Sequence, residues 1–457
     1  MKRRTLLAGA TALATAPALG IAPAARAQGK TKIVWWHAMS GALGEEVKRI
    51  ATSFNASQNS VEVEQIFKGT YPEVLTASIA AWRAGQAPNL VQVFEVGTGT
   101  MLAAGPAVKQ IWQLSKETGV EFDPNAYLAG VRGYYSLSDG RLASMPFNSS
   151  TSLMWYNKDA FAKAGLDPEA FGKAGLSDGA PLTTWDQVVA AAKAIKAKEA
   201  AHIPMSSSWP TWCLFEQYAA IQNVPYATLS NGFDGLGTEL LINKPPFVKQ
   251  MQRLIDMSKD GTFKWGGRDG AAGPLFPSGE AAIMFDSSSA LATISRSAKF
   301  KWGVALLPYD PAIVEHPLNG IIGGASLWPM TAPKRSAAEY KAVAEFLKFM
   351  SRPDNDALWH QHTGYVPVTL AGYEESKKQG YYQKNPGAEV AIIQLTRGKP
   401  TKNSMGFRLG RMAELRQIQY EEMEKAFQGQ QTAQQTMDNA VTRGNKVLRQ
   451  FEASVKG

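Results

Sequence analysis

A single cysteine, Cys213, serves 457 residues. That excludes an intramolecular disulfide and any cysteine-built zinc or iron–sulfur site. Histidine is scarce: only His37, His202, His316, His360 and His362 occur. No H-E-x-x-H is present. His360-Gln361-His362 has no acidic or cysteine partner at ligand spacing, so it reads as a polar helix end and no metal is expected. There is no phosphate-binding G-x-x-x-x-G-K-[ST] loop and no G-x-S-x-G elbow. Gly97-Thr98-Gly99-Thr100 follows a strand but lacks the third glycine of a dinucleotide fingerprint. No basic stripe or nucleic-acid motif is found, so no nucleic-acid partner is expected. Paired carboxylates of glycosidase type meet only in space and stay open at this level. Bond-making has no visible owner. No enzyme activity and no cofactor is expected, and a binding function leads.

What is there is a chain with 45% apolar and 19% charged residues, ordinary for a globular protein. The length fits roughly three domains, or two large ones. The net charge is +9. Part of it belongs to the N-terminus. Lys2, Arg3 and Arg4 precede an Ala/Leu-rich run broken by Pro17 and Pro23, and Ala25-Arg26-Ala27 is an A-x-A cleavage site. Residues 1–27 therefore read as a signal peptide, which predicts export to the periplasm. The Arg3-Arg4 pair leaves the twin-arginine and general secretion routes both open. Removing this segment takes away four basic residues and no acidic one, which leaves +5. No later stretch reaches 18 continuous apolar residues.

Strands and helices alternate. Lys32–His37 reads as a buried strand. A helix follows from Gly41, with Val47, Ile50, Ala51 and Phe54 on one face. Val61–Phe67 is a second strand, Tyr71–Gly85 a helix and Asn89–Val96 a third strand. Thr184-Trp185-Asp186-Gln187 is a capping box that starts a helix to about Ala200. His202–Ser206, Ala281–Phe285 and Lys301–Leu307 read as further strands. The tail from Met412 is helical, with a break near Gly429. This order predicts an α/β protein with parallel sheets covered by helices.

Several stretches are similar to family 1 extracellular solute-binding proteins of ABC transporters. They are Tyr156-Asn157-Lys158-Asp159 with Ala164-Gly165-Leu166-Asp167-Pro168, then Phe276-Pro277-Ser278-Gly279-Glu280-Ala281-Ala282-Ile283-Met284, Gly303-Val304 with Leu307-Pro308, and the closing helices around Gly429 and Met437-Asp438. A narrower set resembles the members that bind sn-glycerol 3-phosphate. It includes Trp36-His37-Ala38-Met39, Lys68-Gly69-Thr70-Tyr71, Val93-Phe94-Glu95-Val96, Pro146–Thr151, Ile322–Trp328, Thr363-Gly364-Tyr365 and Arg408-Leu409-Gly410. The resemblance implies a two-lobe periplasmic-binding-protein fold, maltose-binding-protein-like, with the ligand cleft between lobes joined by a multi-crossing hinge. Residues 28–146 with 288–350 are expected to form lobe 1, and 151–285 with 354–457 lobe 2. Crossings are expected near 147–150, 285–287 and 350–353. It also implies a monomer that hands its ligand to transmembrane permease subunits powered by an ATPase. A neutral oligosaccharide is the alternative ligand class. A secreted glycerophosphodiester hydrolase is a further alternative.

By the same resemblance, eight residues are expected around sn-glycerol 3-phosphate, or a glycerophosphodiester such as glycerophosphocholine. A phosphate needs several donors and one permanent cation, and the glycerol hydroxyls need acceptors. Tyr71, Ser150, Ser287, Gly324 and Tyr365 are expected as donors, Arg416 as the cation, Glu95 as acceptor and Trp209 against the carbons. Structural readings stand beside these. Tyr71 is also a helix-start residue, Glu95 also a candidate for a buried ion pair, and the serines also turn residues. Gly324 also suits a tight turn and Trp209 the core. Arg408 is the rival cation, and Trp212 a second cleft tryptophan. Cys213 reads as a packed thiol beside the site.

Overall fold

The computed structural model describes residues 29–176 and 182–456. The signal peptide expected over 1–27 lies outside the described residues. Among the described residues nine strands form two sheets. They are β1 (Thr31–His37), β2 (Val61–Phe67), β3 (Leu90–Phe94), β4 (Met145–Ser150), β5 (Ser152–Asn157), β6 (Ile203–Ser207), β7 (Ala281–Ser287), β8 (Trp302–Ala305) and β9 (Gly323–Pro329). The first sheet runs β2-β1-β3-β9-β4 and the second β6-β7-β5-β8.

The expected parallel sheets are mixed. β1 is parallel to β2 and β3, and β6 to β7, as helical crossovers require. The strands that carry the chain between the sheets run antiparallel: β9 against β3 and β4, and β5 against β7 and β8. Only Thr151 separates β4 from β5. Its hydroxyl donates to the Ile321 carbonyl (2.9 Å) and its own carbonyl accepts the Ser288 N–H (2.8 Å). Ile321 lies just before β9 and Ser288 just after β7, so three passages of the chain meet at one residue.

Two stretches depart from the expected division. Trp302–Ala305, placed with lobe 1, is an edge strand of the second sheet, paired with β5. The helix Pro353–Thr363, placed with lobe 2, packs on the helix Gly41–Ser57 beside the first sheet. There Trp359 meets Phe147 (4.6 Å between rings) and His362 Nδ1 lies 2.9 Å from Glu46. Periodicity marks a segment as strand or helix, but the partner it packs against is a long-range choice.

Local signals are otherwise realised. Thr184 caps the helix Trp185–Ala197 by accepting from the Gln187 N–H, and the Gln187 side chain accepts from the Thr184 N–H. The helices Met412–Phe427 and Ala433–Lys456 are broken at Gly429, whose φ is +75°. Both pack on the helix Pro245–Lys259. Trp35, fully buried in β1, packs edge-on to Phe147 (5.4 Å) and close to Phe346 (5.6 Å). No described helix is long and apolar enough to cross a membrane.

Trp35→Ala should lower unfolding free energy by about 3–5 kcal/mol, because the cavity cost adds to the lost transfer energy. Chemical denaturation checks this, with Trp35→Phe expected to lose less.

Candidate functional site

All eight expected residues line one cavity of about 300 Å³. Both halves contribute: Tyr71, Glu95 and Ser150 come from the first, and Trp209, Ser287 and Arg416 from the second. Gly324 and Tyr365 complete the wall.

At its base is a buried ion cluster. β3 ends at Phe94, and Glu95 begins a single 3-10 turn, Glu95–Gly97, rather than extending the strand. Glu216 ends a π-helical turn, Trp212–Glu216, a local widening that recurs at functional sites. Arg416 is the fifth residue of the helix Met412–Phe427 and reaches both. Its Nε and Nη2 donate to the two Glu216 oxygens (2.7 Å each), and Nη2 also donates to Glu95 Oε1 (2.7 Å). Exposure is 5% for Glu95, 0% for Glu216 and 4% for Arg416. Burial, opposed by Arg416, pushes the Glu95 carboxyl up. Burial works against the guanidinium, but Glu216 and Glu95 outweigh it and hold Arg416 well above the ordinary arginine value. Neither carboxylate uses Nη1, and Arg416 leaves Glu95 Oε2 aside. One cationic edge and one acceptor stay available at the cavity. The ion-pair reading of Glu95 is therefore realised in a residue that also faces the cavity. Glu216 was not among the expected residues; its one signal is an acidic residue directly after the apolar run Trp212–Phe215.

The phenols are oriented from behind. Gln92 Oε1 accepts the Ala38 N–H (2.7 Å). Gln92 Nε2 donates to Asn148 Oδ1 (2.8 Å), and Asn148 Nδ2 donates to the Tyr71 oxygen (2.8 Å). Because its oxygen accepts from Asn148, the Tyr71 hydroxyl keeps its own proton to give. The ring stacks on Phe94 at 5.5 Å. Burial, then the neighbouring Tyr365, raises Tyr71 well above the usual phenol range. Gln92 and Asn148 are fully buried amides in otherwise apolar or small-residue strands. That contrast is the signal that could have found them.

Tyr365 stacks on Trp359 (5.9 Å between rings), and its carbonyl is 2.5 Å from His360 Nδ1. The carbonyl can only accept, so Nδ1 donates and Nε2 takes the Tyr382 hydroxyl (3.0 Å). Burial lowers the His360 pKa to about 4, which keeps this neutral form. His360 is thus no polar helix end but a buried support for Tyr365. No group of three or more His, Cys, Asp or Glu among the described residues is placed to hold a metal.

The remaining positions show why these residue types stand where they do. Gly324 has φ +88°, and a Cβ there would stand 1.8 Å from the Asn148 carbonyl oxygen. Only glycine lets this strand close on β4. The Ser287 hydroxyl faces the cavity and also serves its own turn, 2.8 Å from Ser289 Oγ and accepting the Ser289 N–H at 3.2 Å. Trp209 adopts φ +49°, held by its N–H on the Asp269 carbonyl (2.6 Å). Such left-handed strain in a bulky residue is a mark of functional positions. Trp212 also lines the cavity, against Gly323. Arg408, the rival cation, is elsewhere: its guanidinium is spent on the Gly133, Tyr134 and Ser136 carbonyls. Cys213 is buried, and burial pushes its thiol well up, so it packs rather than reacts.

Arg416→Ala would strand two buried carboxylates. It should cost about 3–5 kcal/mol of stability in chemical denaturation, more than the change at Arg408. His360 behaves differently with pH. Unfolded, it takes a proton near its ordinary 6.5; folded, only near 4. Stability is therefore lost as pH falls from about 6.5 to 4, and His360→Gln should lose less across that window.

The profile of the family described as bacterial extracellular solute-binding protein matches residues 49–390. The sn-glycerol-3-phosphate-binding periplasmic protein UgpB of Pectobacterium atrosepticum is 45% identical over 434 residues, 94% of each chain. UgpB of Mycobacterium tuberculosis, solved in complex with glycerophosphocholine, superposes with a TM-score of 0.75 at 22% identity, over 92% of this chain and 99% of that one. Maltose-bound T. maritima MalE3 superposes with a TM-score of 0.69 at 19% identity, over 91% of this chain and all of that one. These two structures establish a maltose-binding-protein-like fold. With the family profile and a 45% identical relative covered over 94% of its length, this chain is a member of the bacterial extracellular solute-binding protein family.

Proposed function

We propose that this protein is the periplasmic receptor of an ABC importer. It captures sn-glycerol 3-phosphate, and glycerophosphodiesters such as glycerophosphocholine, and delivers them as a monomer to the membrane permease. The observation that carries this reading is the cavity itself: phenols, hydroxyls and one spare guanidinium edge surround about 300 Å³. The extensive identity to a protein named for this ligand, and for the periplasm, supports it.

In this reading the phosphate takes the Arg416 Nη1 edge, the Tyr71 and Tyr365 hydroxyls, Ser150, Ser287 and the backbone at Gly324. Charge-assisted bonds to a phosphate are about twice as strong as neutral ones. Glu95 Oε2 accepts from a glycerol hydroxyl. Trp209 and Trp212 cover the carbons. The two carboxylates and one arginine sum to −1, so the phosphate is held mainly by neutral donors fixed in advance by Gln92, Asn148 and His360. The residues offer binding without turnover: incubation with glycerophosphocholine should release no choline. Capture of ligand between the two halves gives the permease a bound form to recognise.

Calorimetry on the mature protein should give saturable heat with sn-glycerol 3-phosphate and none with glycerol or maltose. Absence of binding at millimolar sn-glycerol 3-phosphate, or tighter binding of maltose, overturns the reading. Tyr71→Phe should weaken sn-glycerol 3-phosphate about tenfold, the loss of one hydrogen bond to a charged group.

A further inference from the structure

Beside the central cavity lies a second one of about 700 Å³. Leu43, Trp209, Ser287 and Ser289 line both, so the two adjoin through a shared wall. Among the described residues, no lysine, arginine or histidine lines the second cavity. It does contain one carboxylate, Asp286 of β7, which is 8% exposed.

Asp286 is poorly satisfied for a buried acid. Oδ1 accepts the Ser287 N–H at 2.7 Å. The Ser208 hydroxyl also serves it. No cation is paired with it among the described residues, unlike Glu95, Glu216 and Asp310, each of which has an arginine. Burial accordingly raises its pKa to about 7. A buried carboxylate without a cation is costly and is normally replaced or paired. Gly273 stands beside Oδ2, where a Cβ would lie in ordinary contact at 3.6 Å. Trp209, partly exposed, borders the same space, with the nearly fully buried Trp155 and Phe276 behind its lining. A carboxylate among aromatic faces is the environment that attracts an organic ammonium ion.

We propose that this side cavity receives the ammonium-bearing alcohol of a glycerophosphodiester whose glycerol phosphate occupies the central cavity, with Asp286 as its counter-ion. The inference rests on the reading of the central cavity given above. It makes Asp286 a specificity determinant that a phosphomonoester never meets. Trp209, on the shared wall, borders both parts of such a ligand.

The test is calorimetry with sn-glycerol 3-phosphate, glycerophosphocholine and the neutral-headed diester glycerophosphoglycerol, on the mature protein and on Asp286→Asn. The unmodified protein should prefer glycerophosphocholine to glycerophosphoglycerol. Asp286→Asn should weaken glycerophosphocholine about tenfold and leave sn-glycerol 3-phosphate within about twofold. Equal binding of the two diesters by the unmodified protein overturns the proposal, even if the variant fails to fold. So does an Asp286→Asn variant that loses nothing, or that loses both ligands alike. If sn-glycerol 3-phosphate itself fails to bind the unmodified protein, the reading of the central cavity falls and this one with it. If it binds normally and only the Asp286 effect is missing, the side cavity alone is wrong.

Discussion

The rest of the structure depends on one arginine shared by two buried carboxylates. Arg416 comes from the helix Met412–Phe427, Glu216 from a π-helical turn and Glu95 from the end of the β3 strand. Each would be prohibitively expensive alone at such depth. Together they satisfy one another and tie the two α/β halves across the cavity floor. The same contacts leave Nη1 and Glu95 Oε2 outside the cluster, so a structural brace also presents one donor edge and one acceptor. A guanidinium suits this double use because its planar fork can spend one edge and keep another.

Around that floor, orientation is supplied by neutral groups. The chain from Ala38 through Gln92 and Asn148 to Tyr71 fixes which way the phenol proton points. His360 does the same service for the Tyr365 backbone, and burial keeps it neutral near neutral pH. Donors set in advance pay little ordering entropy when a ligand arrives. They also answer an electrostatic problem, since a cluster of net charge −1 cannot by itself attract an anion. Thr151 adds a mechanical link. Three chain passages meet there, where β4 of the first sheet gives way to β5 of the second.

Much of this was legible along the chain. The Thr184 capping box, the Gly41–Ser57 helix face and the strands near Lys32, Val61 and Ala281 follow from periodicity and local hydrogen bonding, which act over a few residues. The eight site positions, drawn from motifs spread between Tyr71 and Arg416, converge on one cavity. What escaped was contact at long separation. Trp302–Ala305 reads as a strand, but nothing local says that it pairs with β5. Asn148 and Gln92 are single polar residues whose meaning appears only when they face each other. Arg416 was expected as the cation for a phosphate, and its pairing with Glu216 spans 200 positions.

The class of fold, the elements and the kinds of side chain offered to a ligand are readable along the linear chain. Backbone propensity, capping and motif identity are properties of neighbouring residues, so they survive in a linear text. Long-range folding settled which arginine edge stays unspent, why Tyr71 has a proton to give, that His360 is a buried support and no polar helix end, and that Asp286 has no cation among the described residues. Those are questions of burial and partnership. The energy of a buried polar group depends on what the fold places within hydrogen-bond reach of it, not on the residues next to it in the chain.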